Sequence, residues 1–136
     1  MMQSMLSSAS ALRAHQIKMD VTAHNVANVN TDSFKSSRTT LQDSFSQTIQ
    51  QARLESTGTA GTNPMQVGSG VSVGSIDIST ALGATRVTGD TVEIMSNTDL
   101  AVEITTMITT QRGFEANARV IPVADLMLEE LVNLRD

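Results

Sequence analysis

The chain lacks cysteine, tryptophan and tyrosine, and phenylalanine occurs only three times in 136 residues. Without cysteine, neither a disulfide nor a thiolate metal site can form. Aliphatic residues and eight methionines therefore supply nearly all of the apolar surface. This composition is typical of packed helix faces and not of a compact core built on aromatic anchors.

Long apolar runs and clustered basic residues are absent too. No stretch approaches the roughly 20 apolar residues that span a bilayer, so we expect no transmembrane helix. The opening MMQSMLSSASALRAHQ has no positive region before an unbroken apolar one, so we expect no cleaved secretion signal. The net charge is −5, and residues 61–136 hold four Lys or Arg against ten Asp or Glu. Nucleic-acid binding requires a clustered basic face and is therefore not predicted.

No residue spacing predicts catalysis, a cofactor or a metal. Gly68, Gly70 and Gly74 miss the spacing of a dinucleotide phosphate loop by one residue. His15 and His24 are nine positions apart, whereas paired helical metal ligands lie four apart. The many serines occur without a nucleophile-elbow motif. We therefore predict a protein that is not an enzyme and binds no cofactor.

The first predicted helix carries an apolar stripe in which spacings of four and three alternate. Such a heptad pattern is typical of a helix face that packs on another helix. It ends in HNVANVN, where three asparagines favour caps and turns over helix. We predict that Asn28 and Asn30 end the helix and that Asn25 offers its amide to a neighbouring chain. The stripe consists of Met5, Ala9, Leu12, Gln16, Met19, Ala23 and Val26.

The last predicted helix carries a matching stripe. Ser96, Asn97 or Asp99 can cap its start. Beyond Pro122 one step shortened to three keeps an apolar face, because a proline bend is where a register change is easiest. The stripe consists of Leu100, Ile104, Met107, Gln111, Phe114, Ala118 and Ile121, and continues after the proline with Ala124, Leu128 and Leu131.

The two stripes predict a mainly α fold. In it, long N- and C-terminal helices pair as an antiparallel coiled coil, joined by a small β-hairpin or flexible middle segment. In that pairing Gln16 meets Gln111, where buried polar residues fix the register; the alternative is that both lie at the wet edge of the stripe. Two helices bury too few apolar side chains to be stable alone, so we expect the chain to complete its core with other chains.

The middle of the chain has a different composition. Leu41, Phe45 and Ile49 predict a short amphipathic helix over residues 39–52. The run STGTAGTNPMQVGSG at residues 56–70 predicts a flexible loop. Alternating apolar residues predict a strand at residues 71–79, and a hairpin at residues 85–95 that turns at Thr88, Gly89 and Asp90. We divide the chain accordingly into residues 1–35, 36–95 and 96–136.

Two segments resemble the bacterial flagellar rod and hook family. ALRAHQIKMDVTAHNVANVNTDSFK, residues 11–35, is similar to the amino-terminal signature of that family, an asparagine-rich ANVNT turn followed by Gly-Phe-Lys. SNTDLAVEITTMITTQRGFEANARVIPVADLMLEELVNLRD, residues 96–136, is similar to its carboxy-terminal segment. The front matches are Asn25, Ala27, Asn28, Asn30, Thr31, Phe34 and Lys35; those at the back are Asn97, Asp99, Leu100, Met107, Ile108, Gln111, Arg112, Phe114 and Asn117.

The resemblance implies a structural subunit of the flagellar basal-body rod. Members of this family self-assemble through their terminal helices and bind other rod or hook subunits. They are exported unfolded across the inner membrane by the flagellar export apparatus, without inserting in the membrane, and build the periplasmic rod. The predicted assembly interface is Leu12, Gln16, Met19, Asn25, Val26, Asn28, Asn30, Phe34, Leu100, Ile104, Met107, Gln111, Phe114, Asn117, Ile121 and Leu128.

The chain departs from the family pattern in three respects. Ser33 stands where the family usually has glycine, so we expect no need for a positive φ at that position. His24 replaces the first of the usual paired asparagines. The middle segment is short, which favours a proximal-rod-like member, whereas the closing NLR resembles hook-type endings. A second class fits the same helices, namely a secreted or export-associated helical interaction or adaptor protein that is not an axial building block.

Overall fold

The computed structural model describes residues 2–54 and 60–134. Two helices enclose six short strands in chain order. Helix α1 covers Met2–Ala27 and helix α2 covers Leu100–Asn133. Between them lie β1 (Ser37–Asp43), β2 (Gln47–Gln50), β3 (Met65–Val67), β4 (Val71–Ile78), β5 (Thr85–Thr88) and β6 (Thr91–Ile94).

The strands described form three antiparallel two-stranded sheets. β1 pairs with β4 from Ser37 opposite Ile78 to Asp43 opposite Val71, with an irregularity between Thr40 and Leu41. β2 pairs with β3, and β5 with β6. The strand predicted at residues 71–79 and the hairpin predicted at residues 85–95 are confirmed. Gly89 turns the hairpin with a φ of 64°, a conformation that glycine adopts without a steric penalty.

The prediction of a mainly α fold with an antiparallel coiled coil is wrong. The structure is 47% helix and 25% strand. The two helices do contact each other, but the faces in contact are not the apolar stripes. The buried side chains are small or polar: Ser8, Ala11, Ala14, Thr22 and Asn25 on α1, and Thr110 and Ala124 on α2.

Up to Pro122 the contact face lies one residue before each predicted stripe, whereas beyond the proline the buried residue is Ala124 of the stripe itself. Asn25 reaches Glu103, and His15 lies against Gly113, so the helices run in opposite directions. A Cβ atom at Gly113 would stand 2.8 Å from His15 Cε1, so glycine makes room for the imidazole. Small residues let the two helix backbones approach closely, and the larger apolar side chains are left pointing elsewhere.

The helix predicted over residues 39–52 is also wrong, since β1 and β2 occupy this segment. The apolar spacing of four between Leu41, Phe45 and Ile49 indicated a helix, but Thr39 and Thr40 are β-branched and β4 supplies a pairing partner. Residues 56–59 of the predicted loop lie outside the described residues. The rest of that loop includes β3 and Thr62, which forms a bridge to Arg53 outside the loop.

Candidate assembly surface

Asn25 joins three elements inside the subunit. Its Nδ2 donates to the Ser37 carbonyl oxygen at 2.7 Å and to Glu103 Oε1 at 3.0 Å, and its Oδ1 accepts from the Ser37 amide at 2.9 Å. The residue is 1% exposed. A buried primary amide must be satisfied locally, and here α1, β1 and α2 do so. The prediction that Asn25 offers its amide to a neighbouring chain is therefore wrong.

Asn97 makes a second junction just before α2. Its Oδ1 accepts from the Ser36 amide at 2.7 Å, and its Nδ2 donates to Ser79 Oγ at 3.0 Å and to the Ala81 carbonyl at 2.9 Å. Lys35 Nζ donates to the same Ala81 carbonyl at 2.6 Å. Hydrogen bonds therefore connect the segment before β1 to the segment before α2, and connect both to the residues that follow β4.

The turn after α1 is built by the asparagine-rich segment. Asn28 Nδ2 donates to the His24 carbonyl at 2.9 Å, and Asn28 Oδ1 accepts from Thr31 Oγ1 at 3.1 Å. α1 ends at Ala27, so Asn28 ends the helix as predicted, whereas Asn30 lies exposed beyond it. The rings of His24 and Phe34 meet edge to face with centroids 5.5 Å apart.

Ser33 completes this turn in a left-handed conformation, with a φ of 61°. It is the single non-glycine residue with positive φ in the described part of the chain. Its amide donates to the Ile94 carbonyl at 2.7 Å, which ties the turn to β6. The expectation that serine here removes the need for positive φ is therefore wrong.

An ion-pair cluster holds the β5–β6 hairpin against the same turn. Arg86 Nη2 lies 2.9 Å from Glu93 Oε2 and 3.7 Å from Asp32 Oδ1. The Glu93 hydrogen bond and charge, with the Asp32 charge, raise the pKa of Arg86 above its ordinary value. All three side chains are solvent-exposed, so the cluster orients the hairpin more than it stabilises the fold.

α2 begins at the cap predicted for it. Asp99 Oδ1 accepts from the amides of Ala101 at 2.9 Å and Val102 at 3.3 Å. Asp99 is thus the capping residue among the three candidates, while Asn97 makes the junction described above. The helix continues past Pro122, and Ala124 is buried beyond it as predicted.

Five of the ten residues in the predicted stripe of α2 are exposed, and so is Ile108, which lies beside the stripe. Leu100, Ile104 and Ile108 follow one another at intervals of four and are 43%, 45% and 53% exposed. Phe114, six residues beyond Ile108, is 42% exposed. An isolated exposed apolar residue is ordinary, but a row at helical spacing forms a continuous apolar strip.

The predicted interface residues divide into three groups by position. Asn25 is buried. The partly buried group is Leu12, Met19, Val26, Asn28, Phe34, Met107, Asn117, Ile121 and Leu128, and the exposed group is Gln16, Asn30, Leu100, Ile104, Gln111 and Phe114.

Gln16 and Gln111 border one open cavity together with Met19 and Phe114. They make no hydrogen bond to each other, and Gln111 Nε2 instead donates to Glu115 Oε1 at 3.1 Å. Asn117 Nδ2 likewise bonds within its own helix, to the Gly113 carbonyl at 2.8 Å. The alternative reading, in which both glutamines lie at the wet edge of the helix faces, therefore describes their positions.

Sequence reasoning missed Ser37, Glu103 and Gly113 as structural residues. Glu103 and Gly113 follow the heptad pattern of α2 if the pattern is displaced by one residue. The small residues Thr106, Thr110 and Gly113 at these positions were the signal that could have indicated this face. No local sequence signal indicates Ser37, because its backbone bonds to Asn25 form only when β1 packs beside α1 in the folded chain. Within residues 2–54 and 60–134, no helix is long and apolar enough for a bilayer and no metal-binding group of side chains is found.

The uncovered apolar face of α2, on a small α-plus-β chain, is the kind of surface at which proteins bind a partner. Residues 5–35 match the family model described as flagella basal body rod protein. Residues 94–134 match the model described as flagellar basal body rod FlgEFG protein C-terminal. The chain therefore belongs to the flagellar rod and hook protein family.

Relatives with established names agree with the family models. The chain is 48% identical over 84 residues to the flagellar hook protein FlgE of Borreliella burgdorferi and 41% identical over 103 residues to that of Treponema pallidum. It is 40% identical over 99 residues to the flagellar basal-body rod protein FlgG of Bacillus subtilis. These matches cover 62%, 76% and 73% of this chain, but only 19%, 21% and 38% of the relatives. The chain thus corresponds to a minor part of each relative's length.

Proposed function

We propose that the chain is a structural subunit of the flagellar axis, located in the basal-body rod. The observation that carries this proposal is the exposed row of Leu100, Ile104 and Ile108 on α2, which no residue of the described chain covers. Water-exposed apolar surface of this kind is stabilised when a neighbouring subunit buries it. The named hook and rod relatives support the same function.

Partners follow from this function. The subunit binds copies of itself and other rod or hook subunits through the terminal segments, residues 1–35 and 96–136. It reaches the rod through the flagellar export apparatus, neither inserts in the membrane nor binds nucleic acid, and has no catalytic role. The segment of residues 36–95 connects the two helical ends.

A substitution on the apolar face of α2 tests whether this face is needed for assembly. Ile104→Asp places a charge in the strip that a neighbour would bury, and burying an unpaired charge costs several kcal/mol. Since Ile104 is 45% exposed in the subunit, the variant should retain its helical circular dichroism but fail to assemble. Ile104→Leu, which keeps the apolar surface, is the matched control.

The readout is the amount of each variant in purified basal bodies, with swarming motility alongside. Wild type and Ile104→Leu should be recovered there, and Ile104→Asp should be absent in non-motile cells. Absence of the wild-type protein from basal bodies of cells that express it would contradict the axial function. Recovery only with export components would favour the adaptor class.

A further inference from the structure

A polar cleft of about 250 Å³ lies where α1, β1 and α2 meet. Two cationic side chains line it, Lys18 from α1 and Arg38 from β1, together with Thr39 and Glu103. Neither cation has an ion-pair partner within 4.0 Å in residues 2–54 and 60–134. The cleft therefore presents two unpaired positive charges on a concave surface.

The carboxylates of the chain near these cations are engaged by neutral donors. Glu103 Oε1 accepts from Asn25 at 3.0 Å. Asp77, opposite Arg38 across the β1–β4 ladder, accepts from Ser75 Oγ at 2.7 Å. By formal charge, Lys18 and Arg38 outnumber Glu103 in the lining of this cleft. Asp77 and Asp99 border the adjoining cavity, which Arg38 and Glu103 also line.

Thr39 supplies an independent sign that the cleft takes a ligand. The residue is only 8% exposed, and its Oγ1 is buried without any hydrogen-bond partner. An unsatisfied buried hydroxyl is uncommon because it loses its bonds to water without replacement. If the Thr39 side chain turns about χ1, an acceptor group that enters the cleft would both satisfy the hydroxyl and neutralise the cations.

The complementary charge lies at the other end of α2. Asp125 and Glu129 are exposed and four residues apart, so they share one helix face, and Glu130 lies beside them. Like charges at this spacing repel each other, and carboxylates at a helix carboxyl end also oppose the helix dipole. The last turn of α2 contains no basic residue that would offset them. This end would be stabilised by cations supplied from outside.

The cleft and this acidic end cannot meet within one subunit. Thr106 lines the cleft, and Glu129 lies 23 positions further along the same continuous helix. At 1.5 Å per residue, about 35 Å of helix separates them. Any pairing of the two surfaces must therefore join two copies of the chain.

We propose that the cleft of Lys18, Arg38 and Thr39 binds the acidic end of α2, Asp125 and Glu129, from a second copy of this chain. The proposal rests on the proposed function, because it names a contact by which axial subunits would associate. Each copy offers both surfaces, so the contact is head to tail and can continue along a row of subunits.

Charge reversal tests this contact on the full chain in sedimentation-velocity experiments. A cleft variant, Lys18→Glu with Arg38→Glu, and an end variant, Asp125→Lys with Glu129→Lys, should each self-associate at least about tenfold more weakly than wild type. An equimolar mixture of the two variants should associate again, because each reversed surface then meets its complement.

Two further variants distinguish the contact from a general effect of charge. Arg13→Glu with Arg53→Glu changes the net charge by the same amount as the cleft variant, at exposed positions away from the cleft, and should associate like wild type. Thr39→Val keeps the side-chain shape but removes the hydroxyl, and should weaken association roughly tenfold, as expected for a hydrogen bond to a charged group.

Three results would overturn the proposal: a wild-type chain that stays monomeric at all concentrations, charge variants that associate normally, or a mixture that does not recover association. Loss of association in the Arg13 and Arg53 control would do the same, since net charge would then explain the effect. The proposed function is judged separately, by recovery of the wild-type protein in basal bodies.

Discussion

At the residue scale, two asparagines join the helices to the strands. Asn25 forms hydrogen bonds with the backbone amide and carbonyl of Ser37 and with the carboxylate of Glu103. Asn97 forms hydrogen bonds with Ser36, Ser79 and Ala81. The side-chain amide of asparagine has two N–H donors and one carbonyl oxygen that can accept two hydrogen bonds, all in a short rigid group. It can therefore link backbone groups of segments that are not hydrogen-bonded to each other in one sheet or helix.

Ser33 gives a prediction about backbone strain. A non-glycine residue with a φ of 61° carries a steric penalty that glycine avoids. Ser33→Gly should therefore raise the free energy of unfolding by about 0.5–1 kcal/mol. Urea unfolding followed by circular dichroism measures the change.

Gly89→Ala is the matched control for that prediction. Gly89 has nearly the same φ, 64°, and a Cβ there would meet nothing within 4 Å. Backbone strain alone should thus lower the free energy of unfolding of Gly89→Ala by a similar amount. A Ser33→Gly variant no more stable than wild type would contradict the strain at Ser33.

At the element scale, α2 combines a satisfied N-cap with an apolar face that is exposed in the subunit. Asp99 satisfies the orphan amides of Ala101 and Val102. Three threonines are also satisfied within the helix, since Thr105, Thr109 and Thr110 each donate to the carbonyl four residues earlier. Local bonds therefore define the helix, while its packing against α1 uses only a narrow face.

Replacement of the capping residue tests the local contribution. Asp99→Ala should lower the free energy of unfolding by about 1 kcal/mol, because two helix amides lose their acceptor. Asp99→Asn, which retains a capping oxygen, should stay close to wild type. Thermal unfolding by circular dichroism distinguishes the two variants, and equal stability of Asp99→Ala and Asp99→Asn would rule out the cap as a stabilising element.

At the scale of the whole molecule, we expect His15 to make the pairing of the two helices sensitive to pH. The imidazole lies against Gly113, and its Nδ1 is buried without a hydrogen-bond partner. Burial lowers the pKa of His15 below its ordinary value of 6.5, and the charge of Lys18 lowers it further. The unfolded chain therefore takes up a proton at a higher pH than the folded chain does.

The resulting pH dependence follows from that order. The contribution of His15 to stability is complete above pH 6.5 and is lost as the pH falls below that value towards the folded-state pKa. Urea unfolding of wild type should show this decrease, and His15→Gln should reduce it. His24→Gln, at the exposed end of α1, should leave the decrease in place. An unchanged pH profile in His15→Gln would exclude His15 as its source.

The sequence by itself determined the local features and the family. The end of α1 at Asn28, the β4 strand and the hairpin turning at Gly89 each depend on neighbouring residues, and sequence pattern reports such neighbours well. The sequence also predicted a cap for α2 among Ser96, Asn97 and Asp99, and the structure chose Asp99. The flagellar signatures were also readable, since they are contiguous segments at the two ends.

Only the tertiary structure decided which helix faces meet, where Asn25 points, and that β1 is a strand. Displacing a contact face by one residue turns a helix by about 100°, and both the small-residue and the apolar faces repeat with the same heptad period. Periodicity alone therefore cannot distinguish the face that packs within the subunit from the face left for a neighbour. Close backbone approach through Ala11, Thr110 and Gly113 decides in favour of the small residues, and the apolar row at Ile104 remains exposed.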